Sequence, residues 1–157
     1  MRLIIQSVHS ASVSLPPSEG GQGGSNIAVT RTISRGVVIY LWISTSDLTD
    51  YEAKIEKITR KLPTIRFLHS DKGIDRCLND IDGEVLLISN FTVYGKNHKG
   101  TSMEFTTSAP FKDAKMIYDL FIQEAKKAGR KLQTGEFWAD MHVTSENRGP
   151  ITYVFDY

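Results

Sequence analysis

An α/β domain of mixed strands with two amphipathic helices is the fold class that this sequence predicts, and three observations predict it. Apolar runs at Val37–Ile43 and Val85–Ile88 are uninterrupted, as expected of strands buried on both faces. Two longer segments, Leu48–Leu62 and Ala114–Ala128, instead repeat apolar residues every three or four positions, the helical period. The composition is that of an ordinary globular chain, 157 residues with 40% hydrophobic and 24% charged, which is about the length of one domain with one core. We therefore expect a single domain over residues 1–157, with no internal repeat.

From Arg2 to Leu15 the apolar members Leu3, Ile5, Val8, Val13 and Leu15 alternate loosely, which predicts two short strands with a break near His9–Ala11. Pro16–Ser25 holds too many Gly, Pro and Ser residues for a regular element and reads as a flexible loop inserted between strands. Asn26–Ile33 alternates Ile27, Val29, Arg31 and Ile33 against smaller residues, and Gly36 punctuates it before Val37–Ile43. Leu48, Tyr51, Ile55, Ile58 and Leu62 make the apolar face of the first helix, which Pro63 stops. Ile65–Leu68 is expected to be a short strand, and Asp82-Gly83 a turn before the central strand Val85–Ile88. Gly95–Thr107 is polar and aperiodic, a loop long enough to suggest a function. The second helix starts at about Pro110, presents Ala114, Ile117, Tyr118, Phe121, Ala125 and Ala128 on one face, and ends at Gly129. Two more strands, near Ala139–Thr144 and Ile151–Phe155, flank the turn Asn147–Pro150.

Several function classes are set aside by simple counts. Cys77 is the single cysteine, so no internal disulfide and no cysteine-based zinc site can form, and a reducing compartment fits. The opening segment has one basic residue and only the apolar run Leu3–Ile5, too short for a signal core, and no apolar run approaches a membrane span. A cytoplasmic location with no membrane contact is expected. With 19 Lys and Arg against 18 Asp and Glu, the net charge of +1 offers no global attraction for polyanions, so any nucleic-acid contact must be local.

The conventional catalytic patterns are weak. Ser89 lacks the Gly-x-Ser-x-Gly elbow that exposes a nucleophile. His9, His69, His98 and His142 show no ligand spacing, and His142 falls on the opposite strand face from Met141 and Val143, as a solvated or structural histidine would. Gly20, Gly21, Gly23 and Gly24 lie in a linker-like stretch rather than between a strand and a helix, so no phosphate-binding loop is read there. Cys77, with only Arg76 as a basic neighbour, reads as a small semi-buried residue. Two motifs are left: Ser89-Asn90-Phe91-Thr92-Val93-Tyr94, where polar groups emerge at the end of a buried strand, and Asn147-Arg148-Gly149-Pro150-Ile151-Thr152, which taken alone reads as a turn.

Taken together and in this order, the two motifs resemble those of the D-aminoacyl-tRNA deacylase family, which pairs Ser-Gln-Phe-Thr-Leu with a C-terminal Asn-x-Gly-Pro-Val-Thr. The resemblance also takes in Arg2–Gln6, Lys99-Gly100, Phe105–Pro110 and Thr134–Phe137 with Ala139–Met141. It implies a three-layer α/β/β domain acting as a homodimer on the aminoacylated tRNA 3′ end. The implied reaction, metal-independent and without a cofactor, is hydrolysis of the ester of a D-amino acid, or of mischarged glycine. Ser89, Asn90, Phe91 and Thr92 would line the catalytic pocket, Phe91 through its backbone amide and Thr92 nearest the reacting centre. Gly149-Pro150 would be a cis peptide whose carbonyls enter the partner subunit's pocket and crowd out L side chains, a chirality filter. Lys96, His98 and Lys99 are candidates for tRNA contact, whereas Lys126, Lys127, Arg130 and Lys131 read better as a solvated face.

The sequence departs from the family pattern at Asn90, where Gln is usual, at Ser7, where Arg is usual, at Arg148, where a small residue is common, and at Trp138, where Gly is usual. Arg148 is expected to replace the charge missing at Ser7. Two alternatives stay open at this point: a deacylase of this fold with altered or lost chiral selectivity, and a non-catalytic tRNA-binding module.

Overall fold

A computed structural model describes residues 1–15, 29–97 and 100–157. The predicted loop Pro16–Ser25, and with it the start of the strand expected at Asn26–Ile33, lies outside the described residues. The chain runs β1 (Arg2–Leu15), β2 (Val29–Ile33), β3 (Gly36–Trp42), α1 (Tyr51–Lys61), β4 (Leu68–Ser70), β5 (Gly73–Arg76), β6 (Glu84–Ser89), α2 (Phe111–Lys127), β7 (Leu132–Thr134) and β8 (His142–Asp156).

Each apolar run became what its period required. β3 and β6 pair in parallel, from Gly36 opposite Glu84 to Leu41 opposite Ser89, at the centre of the sheet. Their residues alternate between two cores. Val37, Ile39, Leu41, Val85 and Leu87 meet Ile55 and Ile58 of α1 and Ile117, Tyr118 and Phe121 of α2. Val38, Leu86 and Ile88 face the other way, onto Val8, Ala11, Val13 and Ile33. Helices, central sheet and an outer β layer therefore form three layers, and burying a Leu or Ile side chain on either face is worth about 1.5–3 kcal/mol. Gly36 lets the two strands begin so close together, since a Cβ there would lie 1.9 Å from the Glu84 carbonyl oxygen.

Five elements differ from the sequence expectation. β1 is one strand, not two: it pairs antiparallel with β3 through Val8 and with β2 from Ala11 onward, so the expected break at His9–Ala11 is a change of partner. β8 is likewise continuous through the turn expected at Asn147–Pro150 and begins at His142 rather than Ala139. It runs antiparallel to β1 on its other edge, but Arg148–Ile151 bulge out of register opposite Ser7, between the pairs Gln6 with Thr152 and Val8 with Asn147. The strand expected at Ile65–Leu68 starts only at Leu68 and forms a hairpin with β5, and both β5 and β7 escaped the sequence reading altogether. The long loop after Gly95 is pinned by reciprocal backbone hydrogen bonds between Lys96 and Glu104. No described helix is long and apolar enough to cross a membrane.

Candidate active site

Parallel β3 and β6 end on the same side of the sheet, the side on which open α/β sheets carry their ligands. There, a cleft of about 470 Å³ is lined by Tyr40, Trp42, Ile88–Thr92, Trp138–Met141 and Val143. Ser89, Asn90, Phe91 and Thr92 are thus gathered in one place, at the point where β6 stops and a short 3₁₀ turn, Phe91–Tyr94, begins.

Asn90 caps that turn. Its Oδ1 accepts from the Thr92 backbone N–H at 3.1 Å and from the Thr92 hydroxyl at 2.5 Å. A backbone N–H can only point at an oxygen, so the carboxamide orientation is fixed and Nδ2 is left with two donors. Among the described residues neither Asn90 Nδ2 nor the Phe91 backbone N–H has an acceptor. Ser89 is nearly buried, at 9% exposure, and its Oγ accepts a long bond of 3.4 Å from the Trp138 N–H, leaving its own proton to donate. The end of β6 therefore presents donors that have no acceptor among the described residues, which suits an oxygen that gains negative charge, while Asp140 adds a carboxylate to the same cleft lining. Tyr40 remains a neutral phenol there, because burial pushes its pKa up. No group of three or more His, Cys, Asp or Glu that could hold a metal occurs among the described residues.

The cleft also contains residues that sequence reasoning missed. Tyr40, Trp42 and Ile88 sit inside apolar runs and read as core, yet each lines the cleft, and the buried Trp42 Nε1 has no hydrogen-bond partner among the described residues. Trp42 stacks on Phe137 at 5.3 Å, and Trp138 stacks on Phe91 at 5.0 Å. Trp138 adopts a φ of 68°, a conformation that bulky L residues rarely take and that costs roughly 1–3 kcal/mol.

The second motif is elsewhere. Gly149 and Pro150 are joined by a cis peptide, lie exposed in the β8 bulge and do not line this cleft. Arg148 has its backbone opposite Ser7, but its guanidinium makes no hydrogen bond to Gln6 or Ser7 among the described residues; Gln6 donates instead to Thr152 at 3.4 Å. Lys96 is exposed and lines a separate groove with Arg2, Ser44 and Tyr94, while His98 and Lys99 lie outside the described residues. On the other basic cluster, Lys127 pairs with Glu124 at 2.7 Å, Arg130 donates to Asn79 at 2.6 Å and Lys131 pairs with Asp82, the solvated arrangement expected of it. His142 is exposed and Cys77 is buried with a free thiol.

Comparison with known proteins gives a consistent result. A family model described as D-Tyr-tRNA(Tyr) deacylase matches residues 4–156. A protein of Desulfotalea psychrophila named D-aminoacyl-tRNA deacylase is 36% identical, the match covering 99% of this chain and 97% of that one. A protein of the same name from Rippkaea orientalis is also 36% identical, with 99% of each chain covered. Among solved structures, one described as a c-Myc DNA unwinding element binding protein superposes with a TM-score of 0.80 at 28% identity, covering 100% of this chain and 99% of that one. Another, described as a probable eukaryotic D-amino acid tRNA deacylase, gives 0.81 at 16% identity over 99% of this chain and 98% of that one, a likeness of fold.

Proposed function

Since this chain belongs to the D-Tyr-tRNA(Tyr) deacylase family, we propose that it hydrolyses the ester of D-aminoacyl-tRNA, releasing free D-amino acid and tRNA. The observation that carries the reading is the donor-rich end of β6, where Phe91 and Asn90 line the cleft and neither the Phe91 N–H nor Asn90 Nδ2 has an acceptor among the described residues. An aminoacyl ester is already activated, so positioning it for water and stabilising the tetrahedral oxyanion suffice. No protein nucleophile is required, and the 2′-hydroxyl of the terminal ribose is available to assist. Thr92 holds the Asn90 carboxamide in the orientation that frees those donors.

Chiral selection is assigned to Gly149-Pro150 of a second copy. In its own chain this turn is exposed and away from the cleft, which favours a homodimer in which each bulge completes the other's site. Rigid backbone carbonyls there would exclude an L side chain and accept any D side chain, and glycine, with no side chain to exclude, would be hydrolysed from glycyl-tRNA as well. Lys96 is the described candidate for contact with tRNA phosphate. The test is single-turnover deacylation of D-tyrosyl-tRNA by the native protein and by Thr92→Ala. Turnover that falls tenfold or more in the variant supports the reading; an unaffected rate removes the Thr92 hydroxyl from the chemistry, and no turnover of the D ester by the native protein overturns the reading.

A further inference from the structure

Trp138 is not used by the reaction proposed above, and its placement asks for a reason. It is the third residue of a turn closed by the Ala139 N–H donating to the Glu136 carbonyl at 3.3 Å, and its φ of 68° is one that glycine takes freely and tryptophan does not. Burial does not compensate, since Trp138 is 53% exposed. One side of the indole rests on Phe91, and Phe111, itself 50% exposed, stands across it at 5.5 Å with an interplanar angle of 85°. The indole also meets Trp42, tilted at 5.8 Å, so the ring is held in place by three aromatic neighbours while half of its surface stays in solvent at the rim of the cleft that holds Ser89–Thr92.

We propose that Trp138 is a stacking platform for the nucleobase that precedes the terminal adenosine of the tRNA. The inference rests on the deacylase reading and says how that site holds the rest of its substrate. A cleft of about 470 Å³ is of a size for one small-molecule ligand, here the aminoacyl-adenosine, so the next nucleotide lies outside it and over the rim. Aromatic faces stack every base, which suits a single-stranded end that all tRNAs share. Trp138 is in this sense a positioning residue: it orients the strand and leaves the ester chemistry to the β6 end.

The test compares kcat/KM for the D-tyrosyl ester of adenosine with that for the D-tyrosyl ester of cytidylyl-adenosine. The native protein is expected to prefer the dinucleotide ester by about tenfold, mostly through KM, from one base stacked on one ring. Trp138→Gly, which suits the backbone and is expected to fold at least as stably, should bring that ratio close to one, and Trp138→Phe should keep most of it. A native ratio near one, or a preference that survives in Trp138→Gly, overturns the proposal. Hydrolysis of neither ester by the native protein would count against the deacylase reading itself; calorimetric affinity for unesterified cytidylyl-adenosine then decides, with a roughly tenfold loss in Trp138→Gly supporting the platform and equal affinity overturning it.

Discussion

At the tip of β6 the two ends of the Asn90 carboxamide differ: Oδ1 caps the 3₁₀ turn, while Nδ2 has no acceptor among the described residues. Asn90→Asp separates the two roles. Aspartate caps as well as asparagine, so the melting temperature is expected to hold, whereas the donors are replaced by a negative charge facing the developing oxyanion. Deacylation of D-tyrosyl-tRNA should then fall about 10²–10³-fold, the usual consequence of losing one such donor. An unchanged rate with unchanged stability would assign oxyanion stabilisation to the Phe91 N–H and Ser89 alone. At this scale the sequence revealed Ser89–Thr92 because polar residues follow an apolar strand there. It did not reveal Tyr40 and Trp42, because a residue in a continuous apolar run reads as core whichever cavity it borders.

The elements were legible where periodicity was strong. β3, β6 and α2 lie within a residue or two of their expected bounds and α1 starts three residues later than expected, since each buries a defined face. The failures have a common cause: β1 and β8 are long strands whose continuity depends on which partner runs alongside, and the three-residue β7 has too few positions to show a period. The junction between β3 and α1 offers a stability test. Asp47 is wholly buried; its carboxylate accepts from the Ser44 N–H at 2.7 Å, from Lys54 at 2.6 Å and from the Met1 ammonium. Burial alone would raise its pKa, but these hydrogen bonds outweigh burial and hold it below the ordinary carboxylate value of 3.8. A carboxylate with a depressed pKa stabilises the fold fully above that value and less as pH falls through the folded one. Asp47→Asn, which takes the carboxylate partner from the buried Met1 ammonium while Lys54 keeps Asp50 at 3.0 Å, should therefore cost about 3 kcal/mol at neutral pH. Thermal melts should show the native protein and the variant converging as the pH is lowered below 3.8; a gap independent of pH would mean that the charge on Asp47 is not what stabilises this corner.

For the whole molecule, the two cores explain why a chain of this length can place its two motifs apart. The central sheet delivers Ser89–Thr92 into a cleft on one side, while the β1–β8 edge carries Gly149-Pro150 to an exposed bulge that does not line that cleft. The order of the motifs along the chain was legible from the residues; their separation in space was implied only by the family resemblance, because it follows from β8 pairing with β1, a contact between the two ends of the chain. The small net charge of +1 fits brief contact with the tRNA end rather than tight polyanion binding. The most direct measurement is deacylation of D-tyrosyl-tRNA and L-tyrosyl-tRNA, matched in tRNA and buffer, by the native protein. We expect rapid release from the D ester and essentially none from the L ester; equal rates for the two enantiomers would contradict the backbone filter and with it the central claim.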